Sequence, residues 1–398
     1  MATSHSAHQP TAAPPTARDV SIDILRGVAL VSILINHLTW FCMNLGYVGH
    51  SVPTLSRFGY SSSAELFFLL SGYLVGYIYG PHKPDYRWWR TTGHLLRRAA
   101  QLYLVSLLLY AFVFAVAAAG VLTPEQLDRL RIAALVRAPT QAAWDFVWML
   151  RWPPLLDILF TYVLYLMAAP AFIAVLKAAP RSAILLPVIA YVMSQVAPEF
   201  GYLGMGYGDD ALAGRWNKLA WSVLFFGGLT AGNATLLRTL KTRLAGSVRA
   251  FAVAAGTMGA VTLLFLVDTR TRWLDPFFTT MPGIDQPTLG PTRILHTLVV
   301  ISTFFTAMWA FPSLARSRPG RLLQTVGEHP LPVFAAGVGL TYSGALLYVH
   351  LGESGSAYLV AVVLALLATV ALACALRWKA QALATASAAP RGNPAGRG

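Results

Sequence analysis

Charge is what this chain of 398 residues has least of. Only 12% of its residues are Asp, Glu, Lys or Arg, about half of the ~25% usual in soluble domains. With 56% hydrophobic residues, that excludes both a soluble enzyme and a disordered protein. Cysteine is nearly absent: Cys42 and Cys374 stand alone, too few for a disulfide-stapled secreted domain. They are expected at opposite faces of a membrane, each serving only packing. The sequence contains no P-loop, G-x-G-x-x-G, C-x-x-C or H-E-x-x-H pattern, so nucleotide-fold and zinc chemistries have no support and no metal site is expected. Acidic residues are scarce as well, 16 against 30 basic, for a net charge of +14.

Long apolar runs are what the chain has in abundance, and its mean hydropathy is +0.57. Runs of that length mark membrane-spanning helices, because lipid leaves no other way to satisfy backbone polar groups. Ten candidate spans lie at 22–45, 61–80, 97–119, 155–176, 182–197, 216–236, 247–267, 293–314, 328–348 and 356–377. The fifth is short, and Pro330 and Pro332 interrupt the ninth. If the N-terminus is cytoplasmic, the inside segments carry roughly twice as many Lys and Arg as the outside ones. The basic excess is therefore a topology code rather than a nucleic-acid footprint. The expected fold is an all-α polytopic membrane protein of about ten transmembrane helices, with both termini cytoplasmic. Residues 1–17 read as a disordered tail, 18–379 as one transmembrane domain and 380–398 as a second tail; no cleavable signal peptide is expected. In the longest outside segment, TPEQLDRLRIAALVRA and WDFVWML read as short helices, the second interfacial through its tryptophans.

Ionisable residues inside spans are expensive and so are functional candidates. Arg26 and His37 lie eleven residues apart in the first span, close to three full turns, so they share one helix face about 16 Å apart along the axis. Arg26 would sit near the cytoplasmic mouth and His37 toward the other. Equally, Arg26 can pair with Asp23 at i−3 and reach the interface, and His37 can be an interhelical hydrogen-bonder. Glu65, Asp157 and His296 fall at the same outer depth as His37. A base at His37 with a carboxylate orienting it suits proton transfer from a hydroxyl. The plainer readings are a Ser62-x-x-Glu65 capping box and, for Asp157, a helix-start charge. On the inner side, Arg97 and Arg98 open the third span beside Arg26. They serve as positive-inside anchors or grip an anionic ligand. Ser71-Gly72, near mid-membrane, allows close helix approach or leaves room for a ligand chain.

These residues resemble a known family. Asp23-x-x-Arg26-Gly27, His37 and Ala64-Glu65-Leu66-Phe67-Phe68 leading to Ser71-Gly72-Tyr73 look like the opening of OpgC proteins. So, in order, do Leu156-Asp157-Ile158-Leu159, Leu289 to His296 and Gly327 to Phe334. The family resembles the wider acyltransferase-3 transmembrane superfamily, with its spaced Arg and His in helix one. Two departures stand out: Gln101 follows Arg98 where that superfamily often has a second Arg, and His329 replaces an expected Ser. The resemblance implies that the 18–379 domain is an acyltransferase of the bacterial inner membrane. It would move an acyl group, succinyl in OpgC proteins, from cytoplasmic acyl-CoA to a hydroxyl of a periplasmic glucan or another envelope saccharide. No tightly bound cofactor is implied. Under that reading His37, Glu65 and Asp157 are catalytic. Arg26, Arg97, Arg98, Arg293 and His296 bind substrate, and Asp23, Ser71 and Gly72 support the site. The expected partners are the lipid bilayer, acyl-CoA and the saccharide, with no nucleic acid. The rival from another class is a proton-coupled transporter, whose relays use the same residue types, although no internal repeat is evident.

Overall fold

The computed structural model describes residues 19–197, 201–202, 205–206, 216–271 and 286–388. The expected N-terminal tail of residues 1–17, residue 18 and the last ten residues lie outside them. Each expected span is a helix. Helix α1 (Val20–Asn44) starts at Asp19, whose side chain accepts a 3.0 Å bond from Ser21 N–H. It ends at Gly46 in the left-handed region, φ 106°, where Tyr47 N–H closes on Cys42 O at 2.9 Å. Helix α2 (Ser63–Tyr79) opens with the Ser62/Glu65 capping box. Then come α3 (Trp88–Ala118), the short helices α4 (Pro124–Arg129), α5 (Ala134–Arg137) and α6 (Pro139–Val147), and α7 (Asp157–Ala178). Helices α8 (Pro180–Val196), α9 (Lys218–Asn233) and α10 (Leu236–Leu244) follow, then α11 (Val248–Thr271) and α12 (Pro291–Ala310). The chain closes with α13 (Ser313–Arg316), α14 (Arg318–Glu328), α15 (Pro330–His350) and α16 (Gly355–Ala388).

Seven of these are long and apolar enough to cross a membrane: α1, α3, α7, α11, α12, α15 and α16. Helices α2 and α8 are apolar but shorter, and α9 is bent by 64° from α10. The bend falls where Thr235 adopts a left-handed φ of 52°, and α10 beyond it carries Arg238, Lys241 and Arg243, as an interfacial helix would. The expected interruption falls at His329, between α14 and α15, and the helix beyond it is continuous. Both prolines fall in the first turn of α15, where no backbone donor is needed. Residues 380–388, expected to belong to a C-terminal tail, are helical. Helix α16 continues to Ala388 through WKAQALATASA, a stretch of strong helix formers such as Ala, Leu, Gln and Lys. A two-residue parallel pairing, β1 (Arg151–Trp152) with β2 (Met205–Gly206), joins the loops on either side of the α7–α8 pair.

Two glycine contacts bring backbones together. A Cβ on Gly72 or Gly76 of α2 would strike the carbonyls of Phe225 and Leu229. One on Gly228 or Gly232 of α9 would strike those of Leu69 and Tyr73. The two Gly-x-x-x-Gly faces interlock, as small-residue faces do in membranes, and the paired numbers rise together, so α2 and α9 run parallel. Likewise Gly27 meets Leu323 O and Gly327 meets Asp23 O, crossing α14 over the start of α1. The far end of α1 is held by Thr39 Oγ1, 2.8 Å from Tyr358 OH on α16. Cys42 is buried, Cys374 is exposed and both are free thiols.

Candidate functional site

Helices α2, α7, α9 and α12 all begin at the end of the bundle toward which α1 runs, bringing together the layer expected from depth alone. Within it lies a cavity of about 350 Å³ lined by His37 of α1, Asp157 at the first position of α7, and Ser62, Ser63 and Ala64 at the start of α2. Trp40, Trp152 and Trp216 supply aromatic wall. Asn36, the residue before His37, is fixed by two bonds: its Nδ2 donates to Ser56 Oγ at 3.0 Å and its Oδ1 accepts from Thr54 Oγ1 at 2.7 Å. His37 is half-buried. It also lines a narrow cleft of about 10 Å³, the space of roughly one water, which follows α1 inward past Leu34 and Leu30 against Val333 and Phe334 of α15.

Glu65 does not line this cavity. It is fully buried and both its oxygens are occupied: Oε1 by the Arg293 guanidinium (Nε at 2.7 Å, Nη2 at 2.5 Å), and Oε2 by Ser62 N–H (2.9 Å) and Ser62 Oγ (2.6 Å). His296, one turn after Arg293, accepts from Ser61 N–H at 3.2 Å and lies 2.6 Å from Ser61 Oγ. Its ring occupies the place that a Cβ on Gly59 would need. The expected outer layer therefore separates into two groups. His37 and Asp157 share the cavity, while Glu65, Arg293 and His296 clamp the turn that forms part of its wall.

Two cations, one packed against the cavity's tryptophans and one lining it, carried no motif signal. Lys218, at the first position of α9, is only 4% exposed. Its ammonium donates to Trp216 O at 2.8 Å, lies 5.1 Å from the centroid of the Trp152 ring, and acts electrostatically on Asp157. A lysine opening an apolar stretch was legible only as a topology charge. Arg131 lines the cavity with φ at 59°, and Leu155, also lining it, has φ at 75°. Left-handed backbone at non-glycine residues costs about 1–3 kcal/mol each and gathers at functional sites.

The residues expected on the inner side also divide. Arg26 lies 3.9 Å from Asp23, and its charge, with that of Arg98, reaches the Tyr162 hydroxyl, which hydrogen-bonds Ser71. Arg26 and Arg98 thus share one electrostatic neighbour, Tyr162 of α7. Arg97 is exposed on α3, along with His94 and Gln101 one turn to either side. Gly72 is spent on the α9 contact. Among the described residues no cluster of three His, Cys, Asp or Glu could hold a metal.

Neither a curated protein nor a solved structure matches this chain. A family model described as OpgC protein matches residues 18–381, which takes in every residue of both clusters. The chain belongs to the OpgC protein family.

Proposed function

We propose that this protein is an integral membrane O-acyltransferase of the bacterial inner membrane. It transfers an acyl group, succinyl, from cytoplasmic acyl-CoA to a hydroxyl of a periplasmic glucan. The family itself points to a membrane acyltransferase acting on glucans. The observation that carries the reading is the sharing of one cavity by His37 and Asp157, with the charges of Arg26 and Arg98 both acting on Tyr162 of α7.

Ten membrane crossings with both termini cytoplasmic give the reaction its direction. The parallel contact of α2 with α9, the second and sixth apolar segments, is what strict alternation requires. The donor's phosphates sit by Arg26 and Arg98, where guanidinium–phosphate bonding is strong, and its thioester reaches His37. The acceptor's sugar rings lie against the tryptophans of the cavity, since flat aromatic faces with a few fixed polar groups suit such a ligand. His37 takes the proton from the acceptor hydroxyl, whose oxygen attacks the thioester carbonyl carbon. Asp157, held beside Lys218, offsets the charge that His37 gains. As the carbon–sulfur bond breaks, the thiolate receives that proton and leaves as free CoA.

The test supplies labelled succinyl-CoA to inside-out vesicles containing a gluco-oligosaccharide. Wild type yields acylated sugar in the lumen, and His37→Ala yields none at an equal amount of membrane-inserted protein. Sugar movement without acylation would make the protein a carrier instead.

A further inference from the structure

Three consecutive serines, Ser61, Ser62 and Ser63, lead into α2. Ser61 is bonded to His296, and Ser62 is committed to the capping box with Glu65. Ser63 lines the cavity that holds His37 and Asp157. It is 2% exposed, and its hydroxyl has no hydrogen-bond partner among the described residues. A buried polar group without a partner is costly, and this one stands at the first position of a 17-residue helix. Its backbone N–H is among the donors that such a helix leaves unmatched, and the helix dipole places partial positive charge there.

We infer that the Ser63 hydroxyl and backbone N–H form the oxyanion hole of the acyl transfer. The inference rests on the reading in the previous subsection. When the acceptor oxygen bonds to the thioester carbon, the carbonyl π electrons move onto its oxygen and a tetrahedral oxyanion forms. Ser63 donates to that oxygen until the electrons return, the C=O bond reforms and the carbon–sulfur bond breaks. The serine hydroxyl gives up no proton and makes no covalent bond. A serine hydroxyl reorients by rotation about χ1, with no change in backbone.

Donors of this kind act through being held in place before charge develops, and the mount is rigid. The Glu65–Arg293 ion pair and the Ser61–His296 bond tie the turn to α12. Thr262 Oγ1 on α11 donates to Phe58 O at 2.9 Å, and the α2–α9 glycine contact fixes the helix behind it.

The experiment measures succinyl-CoA-dependent acylation of a gluco-oligosaccharide by the full-length protein in lipid nanodiscs. Wild type is compared with Ser63→Ala and Ser63→Gly, with succinyl-CoA binding and thermal unfolding followed in parallel. Neither variant touches the Ser62 capping box. Removing one oxyanion donor should lower kcat roughly 10²- to 10³-fold, with KM for succinyl-CoA, its equilibrium binding and the unfolding temperature unchanged. A kcat within about threefold of wild type would overturn the assignment. So would a loss that merely tracks reduced binding or folding in both variants. Wild type that binds succinyl-CoA yet transfers nothing would instead sink the acyltransferase reading, and this assignment with it.

Discussion

Glu65 is the residue whose role changes most between sequence and structure. Its depth was legible, and so was the capping box, but depth along a helix axis does not give the direction in which a side chain points. The carboxylate turns to Arg293, from a span far along the chain, rather than to His37. Glu65→Gln leaves that guanidinium 8% exposed without a counter-charge. Breaking a buried pair in this way costs about 3–5 kcal/mol, so thermal unfolding in detergent should show a large loss of stability. An unchanged unfolding temperature would refute the structural role. Arg26→Ala should act differently, raising KM for succinyl-CoA severalfold with little change in kcat. Arg97→Ala, on the exposed face of α3, should leave KM alone. A steady-state comparison of the two separates them. Ser63 and Lys218 were not legible as site residues because nothing in their neighbourhood announces them. A serine before a capping glutamate and a lysine opening an apolar run are common in helices that do nothing chemical.

At the level of the element, hydrophobic length located the long apolar helices, while the polar helices α10, α13 and α14 between them and the junctions needed three dimensions. Proline at 330 and 332 reads as a break in a run of residues and as a start once the helix boundary is known. The bend at Thr235 has no proline or glycine at its centre and left no mark in the sequence. Ser71-Gly72 was legible as a place of close approach, but its partner was not, since Gly228 and Gly232 look unremarkable among other small residues. Gly72→Leu or Gly228→Leu pushes a side chain into a facing carbonyl. Overpacking a core costs about 1–3 kcal/mol even where only side chains must yield, and here backbone must. These variants should accumulate poorly and elute as aggregates on size exclusion, whereas Gly227→Leu, with open space around it, should behave as wild type.

For the whole molecule, the charge asymmetry predicts the path of the chain through the membrane. Alkaline phosphatase fused at either terminus should be inactive, and fused within the α4–α6 segment it should be active. Activity at only one terminus would mean an odd number of crossings. Which helix sits beside which could not be read from the sequence, because lipid-facing and protein-facing positions are both apolar. Under the proposed acyl transfer, the α1 contacts carry a consequence for the donor. The helix is gripped at Gly27 by α14 and at Thr39 by α16, so the stretch holding Arg26 and His37 behaves as a measuring rod of about 16 Å. A donor whose arm is shorter than the rod can rest its phosphates at one end or its carbonyl at the other, but not both. The protein would then select acyl carriers by length before it reads the acyl group at all.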